Sequence, residues 1–185
     1  MSHATGSATS RVKTVKTPTQ PGLLVVVHPG SACGSASFNL GWKDAVFART
    51  RLIRDISTWR GHVLVVDGYL SDELEDRPQL QRAIRTSLSR ACRDGHRHGR
   101  MKACDASDEQ WPETIAKTVV GWKLPHGTVI GVTGAWYFDD GSGGCVNATI
   151  DVLQALKIGP VEVLDGALRD PAGTRPSEAP LDEPT

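Results

Sequence analysis

Surplus charge is missing from this sequence: among its 185 residues, 21 are Lys or Arg and 21 are Asp or Glu. A protein that holds polyanions through its surface needs a positive excess, so nucleic-acid binding is not expected. Long apolar stretches are missing too. The longest aliphatic run, Leu23 to Val27, falls far short of the ~20 residues that span a bilayer, so no membrane association is expected. Residues 1–19 carry Arg11, Lys13 and Lys16 but no apolar stretch, and are not expected to act as a secretory signal. Cysteine is sparse, with four residues at 33, 92, 104 and 145. They are too scattered for a disulfide framework in a chain of this length, and a reducing cytoplasm is the expected setting.

What the sequence does have is a repeated kind of ending. Four runs rich in Val, Leu and Ile each stop at a polar, glycine-bearing turn: Val25 to Gly30, Leu64 to Gly68, Val129 to Gly134, and Val161 to Gly166. Short β-branched runs separated by amphipathic segments of helical length read as buried parallel strands joined by crossover helices. Residues 1–21 read as a flexible arm, 22–169 as a single α/β domain and 170–185 as a disordered, acidic, proline-rich tail. Helices are expected after Leu40, after Pro78, from a Ser107/Gln110 capping box, and from Cys145. Gly95 to Ala106 is polar and basic and reads as a surface loop. The fold class is therefore α/β, a Rossmann-like three-layer sandwich around a mainly parallel sheet of four or more strands. Four is few for this class, which leaves either a further edge strand or one shared across a homo-oligomer.

In such a sheet all strands end on one edge, and ligands bind in the crevice beyond those ends. That rim would gather His28, Cys33, Asp67, Asp139, Asp140, Cys145 and Asp165. The strongest local signal is Gly141-Ser142-Gly143-Gly144-Cys145-Val146. A thiol at a helix N-terminus feels the positive end of the helix dipole, which favours thiolate, and the same free N–H groups can hold an oxyanion. The plain alternative is a small buried thiol packed at a helix start. The loop His28 to Asn39 is the second candidate: Ser31, Cys33 and Gly34 suit close approach to phosphate or carboxylate. It follows neither common phosphate-loop spacing, and Cys33 with His28 as base is a further option. Asp139 and Asp140 could contact substrate or a metal, though each alone is as readily a turn former. Cys92, His96, His98 and Cys104 offer zinc donors, but the spacing matches no common zinc module and the neighbouring arginines oppose a cation.

The segment Cys145-Val146-Asn147-Ala148-Thr149, with Asp151, Gly159 and Val161 to Ala167, resembles the C-terminal part of the isochorismatase-like cysteine hydrolases, the nicotinamidase relatives. The strand Leu23 to Val27 is also similar to that family's opening strand. The resemblance implies a hydrolase with Cys145 as nucleophile. The family's acidic residue at the end of strand one is replaced here by Val27 or His28, and no lysine aligns with its catalytic lysine. Lys123 precedes strand three, at the opposite edge. Either His28 serves as base for Cys145 or the activity has been lost.

The leading expectation is a small-molecule hydrolase acting on an amide or related carbonyl. Cys145 attacks, His28 relays protons, Asp67 orients the base, and N–H groups around Gly144 and Val146 take the oxyanion. No cofactor and no metal enter this scheme. The competing expectation is a non-catalytic module that binds a small anion, nucleotide or protein partner at the same rim.

Overall fold

The computed structural model describes residues 22–30, 42–67, 78–102, 111–135, 137 and 144–167. The arm and tail read from the sequence (1–21 and 170–185) lie outside these, as does the Ser107/Gln110 capping box. In chain order the elements are β1 (Gly22–Val27), α1 (Trp42–Thr58), β2 (Gly61–Asp67), α2 (Pro78–Arg93), β3 (His98–Lys102), α3 (Trp111–Gly121), β4 (Ile130–Gly134), α4 (Cys145–Ala155) and β5 (Val161–Val163). The strands form one five-stranded sheet in the order β3-β2-β1-β4-β5, with every pairing parallel. No helix among the described residues is long and apolar enough to cross a membrane.

The central strand explains the layers. Successive side chains of a strand point to opposite faces. Leu24 and Val26 face one way with Val63 and Val65, beneath Leu52 and Ile56 of α1 and Leu80, Ala83, Ile84 and Ala91 of α2. Leu23, Val25 and Val27 face the other way with Leu64, Val66, Ile130 and Val132. That second face is covered by Trp111, Ile115 and Val119 of α3 and by Val146 and Leu153 of α4. Both faces of β1 are thus sealed, which is why it reads as an unbroken apolar run. Each fully buried Leu or Val contributes ~1.5–3 kcal/mol. The two faces together hold the sheet between two helical layers, the three-layer α/β sandwich expected.

The additional strand is β3, built from the middle of the basic segment that the sequence pattern assigned to a surface loop. Its pattern alternates: His98 and Arg100 are exposed, while Gly99 and Met101 are half-buried. Met101 packs on the α3/α4 face, and Gly99 lies against Trp122 and Leu64 on that side. One solvated face and one covered face make an edge strand, and charges on such a strand discourage pairing with other chains. With so many Arg and His residues, a period of two across five residues is easily taken for plain polarity.

From β1 the chain moves outward through β2 and β3, then returns past β1 to β4 and β5. In sheets of this topology the ligand crevice lies where the strand order reverses, which here is beyond the carboxyl ends of β1 and β4. Gly134 ends β4 at this point: φ is 123°, and a Cβ there would collide with the Val27 carbonyl oxygen. The absence of a side chain lets Ala135 N–H donate to that oxygen at 2.8 Å, so β1 and β4 remain joined up to the crevice.

A clasp joins α1 to the chain leaving β5. Gly166 N–H donates to Asp55 Oδ2 at 2.7 Å, and Arg54 reaches both Asp55 Oδ1 at 3.3 Å and Asp165 Oδ2 at 3.0 Å. Burial pushes the Asp55 carboxyl above its ordinary value, against the downward pull of Gly166 N–H and Arg54. Asp55→Ala leaves a buried N–H without its acceptor and should cost about 1–3 kcal/mol in urea unfolding. Asp55→Asn, which keeps an acceptor oxygen, should cost less. A carboxyl whose folded pKa is raised favours the folded state while protonated. Wild type should therefore lose stability relative to Asp55→Asn as pH rises from 3.8 through the raised folded value.

Candidate active site at the carboxyl edge of the sheet

His28 follows the last residue of β1. Its N–H donates to the Val66 carbonyl at 2.7 Å, extending the β1–β2 ladder by one bond. Its φ is 44°, in the left-handed region that non-glycine residues seldom adopt. The turn breaks the strand's alternation. Two residues beyond Val26, a side chain in regular strand would face α1 and α2, yet the His28 ring lies against Trp111 of α3, with centroids 6.0 Å apart at 48°. Such strain persists only where the surroundings enforce it. The residue is 6% exposed, and Nδ1 has no hydrogen-bond partner among the described residues. Burial lowers the imidazole pKa below its ordinary value, and the charge of Asp67 acts in the opposite sense. The downward shift favours the uncharged ring, the form that accepts a proton.

Asp67 ends β2 and is 3% exposed. Its Oδ2 accepts a hydrogen bond from Arg100 Nε, while Oδ1 has no partner among the described residues. Register explains the pairing. Arg100 of β3 sits opposite Val65, so it shares a face with Val63, Val65 and Asp67 and reaches one pair forward to the strand end. Asp67 is thus bonded to Arg100 and not to His28 Nδ1; it acts on the imidazole through charge.

Cys145 opens α4. It is buried, carries its sulfur as a thiol and belongs to the same apolar cluster as Trp111 and Val27. Gly144 caps the helix at φ 89° without a side-chain hydrogen bond. The first turn is closed by Ala148 N–H to the Gly144 carbonyl at 3.0 Å and by Thr149 Oγ1 donating to the Cys145 carbonyl at 2.8 Å. The opening N–H groups of a helix lack intrahelical acceptors, and the dipole places positive potential there. Imidazole and thiol therefore lie at one edge of the sheet and on its α3/α4 side, beside the β1–β4 crevice. Val146, next in the helix, is fully buried and packs in the α3/α4 core.

Other expected site residues fall elsewhere. Ser31, Cys33, Gly34, Asp139 and Asp140 lie outside the described residues. Asp165 is exposed and paired with Arg54. Lys123 lies in the turn between α3 and β4, at the edge opposite the crevice. Of the zinc donors, Cys104 lies outside the described residues; among the described residues no group of three or more His, Cys, Asp or Glu side chains is placed to hold a metal ion. Two residues were not singled out from the sequence. Trp111 carried no local sign of its contact with His28, which spans two distant segments. Arg100 could have been found through the alternation around Gly99 and Met101.

Comparison with protein-family models, curated proteins and solved structures gave no match.

An NMR titration should find the His28 ring titrating below 6.5, and Asp67→Asn should lower it further by removing the charge that opposes burial. As pH falls below 6.5, the unfolded chain takes up this proton before the folded one. Folding stability should then decline through that window, and less steeply in His28→Gln.

Proposed function

We propose that the protein is a small-molecule hydrolase with Cys145 as nucleophile, acting on an amide or related carbonyl. The observation that carries this reading is the strained, buried His28, turned toward the α3/α4 side on which α4 opens with Cys145. In this scheme His28 takes the Cys145 proton as sulfur attacks the carbonyl carbon. The oxyanion forms against the N–H groups at the start of α4. The C–N bond then breaks, the amine leaves with the proton from His28, and a thioester remains. Water gives a proton to His28 and attacks the thioester; the C–S bond breaks, the sulfur takes that proton back from His28, and a carboxylic acid is released. Asp67 biases the charge on His28, and the likeness to isochorismatase-like hydrolases supports the same nucleophile. A reducing cytoplasm, which keeps such a thiol reduced, is the setting proposed with this reading.

A second reading has one observation in its favour: Cys145 is only 8% exposed. The same rim would then belong to a non-catalytic module that binds a small anion, nucleotide or protein partner.

Iodoacetamide labelling against pH, read by mass spectrometry at each cysteine, separates the two. Cys92, exposed at the end of α2, is the internal reference. For the hydrolase, Cys145 labels faster than Cys92 below the ordinary thiol range of ~8.5, and His28→Gln removes the advantage. Labelling of Cys145 no faster than Cys92 at every pH, with ligand binding unchanged in Cys145→Ser, would leave the binding module.

A further inference from the structure

At the edge of the sheet opposite His28 and Cys145, histidines gather where the chain leaves α2 and enters β3. His62 stands second in β2, at its amino end. Its Nδ1 accepts a hydrogen bond from the Arg97 backbone N–H at 2.8 Å. Its ring meets that of His96 edge-on, with centroids 5.2 Å apart at 69°. We propose that His62 is a proton-operated latch on the edge strand: the neutral ring holds the entry of β3 against β2, and the protonated ring releases it. The latch stands apart from the hydrolase reading, whose residues lie at the carboxyl edge.

A backbone N–H can only donate. To meet it, His62 Nδ1 must offer a lone pair, which puts the proton of the neutral ring on Nε2. Protonation adds an N–H at Nδ1, and two donors then face each other. No rotation of the ring restores the bond, because both nitrogens of an imidazolium are donors. His98 supplies the contrast. Its Nδ1 lies 3.2 Å from the His96 carbonyl oxygen, which can only accept. A proton therefore breaks the His62 contact and spares that of His98.

Two bonds fasten Arg97 to β2. Its carbonyl accepts from Val63 N–H at 3.0 Å, where the β2–β3 ladder starts, and its N–H goes to His62. Just before it, the end of α2 is closed by Gly95 N–H to the Cys92 carbonyl and His96 N–H to the Ala91 carbonyl. An edge strand is bonded on one side, so its end opens at less cost than a central strand. The surroundings of His62 favour release. Leu23 of β1 lies opposite it in register, and Trp122 of the turn after α3 lies over Gly99 of β3 on the same side of the sheet. Burial opposes the imidazolium most strongly, followed by the charges of His96 and Arg97 from the α2–β3 link. Asp94 in that link, and Lys123 and His126 in the turn after α3, are not among the charges that act on it. Among the described residues no carboxylate compensates the cation, so water is its better environment.

The test uses the full chain with His62→Asn and His62→Leu, followed by NMR. The His62 signals are assigned among the six histidines by their loss in both variants. Ring nitrogen shifts should place the proton of the neutral ring on Nε2; a proton on Nδ1 overturns the latch. Amide protection factors, corrected for the intrinsic pH dependence of exchange, are then measured between about pH 8 and 5. As the ring titrates, protection of Arg97 and Val63 should fall several-fold relative to the amides of β1, which report global stability. Asn carries an acceptor oxygen near the place of Nδ1 and does not titrate. His62→Asn should therefore keep Arg97 protected and remove the pH dependence, whereas His62→Leu should leave Arg97 weakly protected throughout. Arg97 protection that falls no further than that of β1 overturns the latch. A pH dependence that survives in His62→Asn, or full protection of Arg97 in His62→Leu, overturns it too. Should His62→Leu fail to fold, the parent chain and His62→Asn decide the matter.

Discussion

The parallel ladder of β1 with β2 and β4 is the constraint on which the molecule depends. It is sealed on both faces, so β1 must be apolar along its whole length, and its first polar side chain can appear only where the ladder ends. That residue is His28. Its N–H still bonds to Val66 while its backbone turns into the left-handed region. The same ladder brings Gly134 so close to Val27 that no side chain fits between them. The ends of β1 and β4 beside His28 are thus held together by a backbone hydrogen bond, Ala135 N–H to the Val27 carbonyl.

Around that edge, polar groups are buried in a definite order. Asp67 is bound to an arginine from the sheet edge, and His28 Nδ1 has no hydrogen-bond partner among the described residues. Cys145 sits where a glycine cap adds no side-chain acceptor to compete for the first N–H groups of α4. Leaving a buried nitrogen and a buried carboxylate oxygen without partners costs stability. Such groups persist most readily where a water or ligand can complete them, and this is the physical basis for placing function at this edge.

Much of this was readable in the sequence because buried parallel strands leave a coarse mark. Val, Leu and Ile runs that stop at glycine-bearing turns located four of the five strands, and helical spacing of Leu80, Ala83, Ile84, Leu88 and Ala91 located the buried face of α2. The fifth strand escaped notice because an edge strand has one solvated face. Five residues carrying His98, Arg100 and Lys102 look like a loop unless Gly99 and Met101 are seen to face inward. The candidate site was readable only as a roster: His28, Asp67 and Cys145 each stand at the end or start of an element. Their relations were not, since contacts such as His28 with Trp111 or Asp67 with Arg100 join segments far apart in the chain.

The amino-acid order alone determined which stretches are buried, where strands stop and which polar residues follow them, because burial and turn chemistry act over a few neighbouring residues. Tertiary structure decided the strand order, and with it the neighbours of each polar end. It turned the imidazole toward α3 through a single backbone angle and bound Asp67 to Arg100 in place of His28. Those outcomes depend on register and on which face a side chain occupies, and both are set only when distant strands pair.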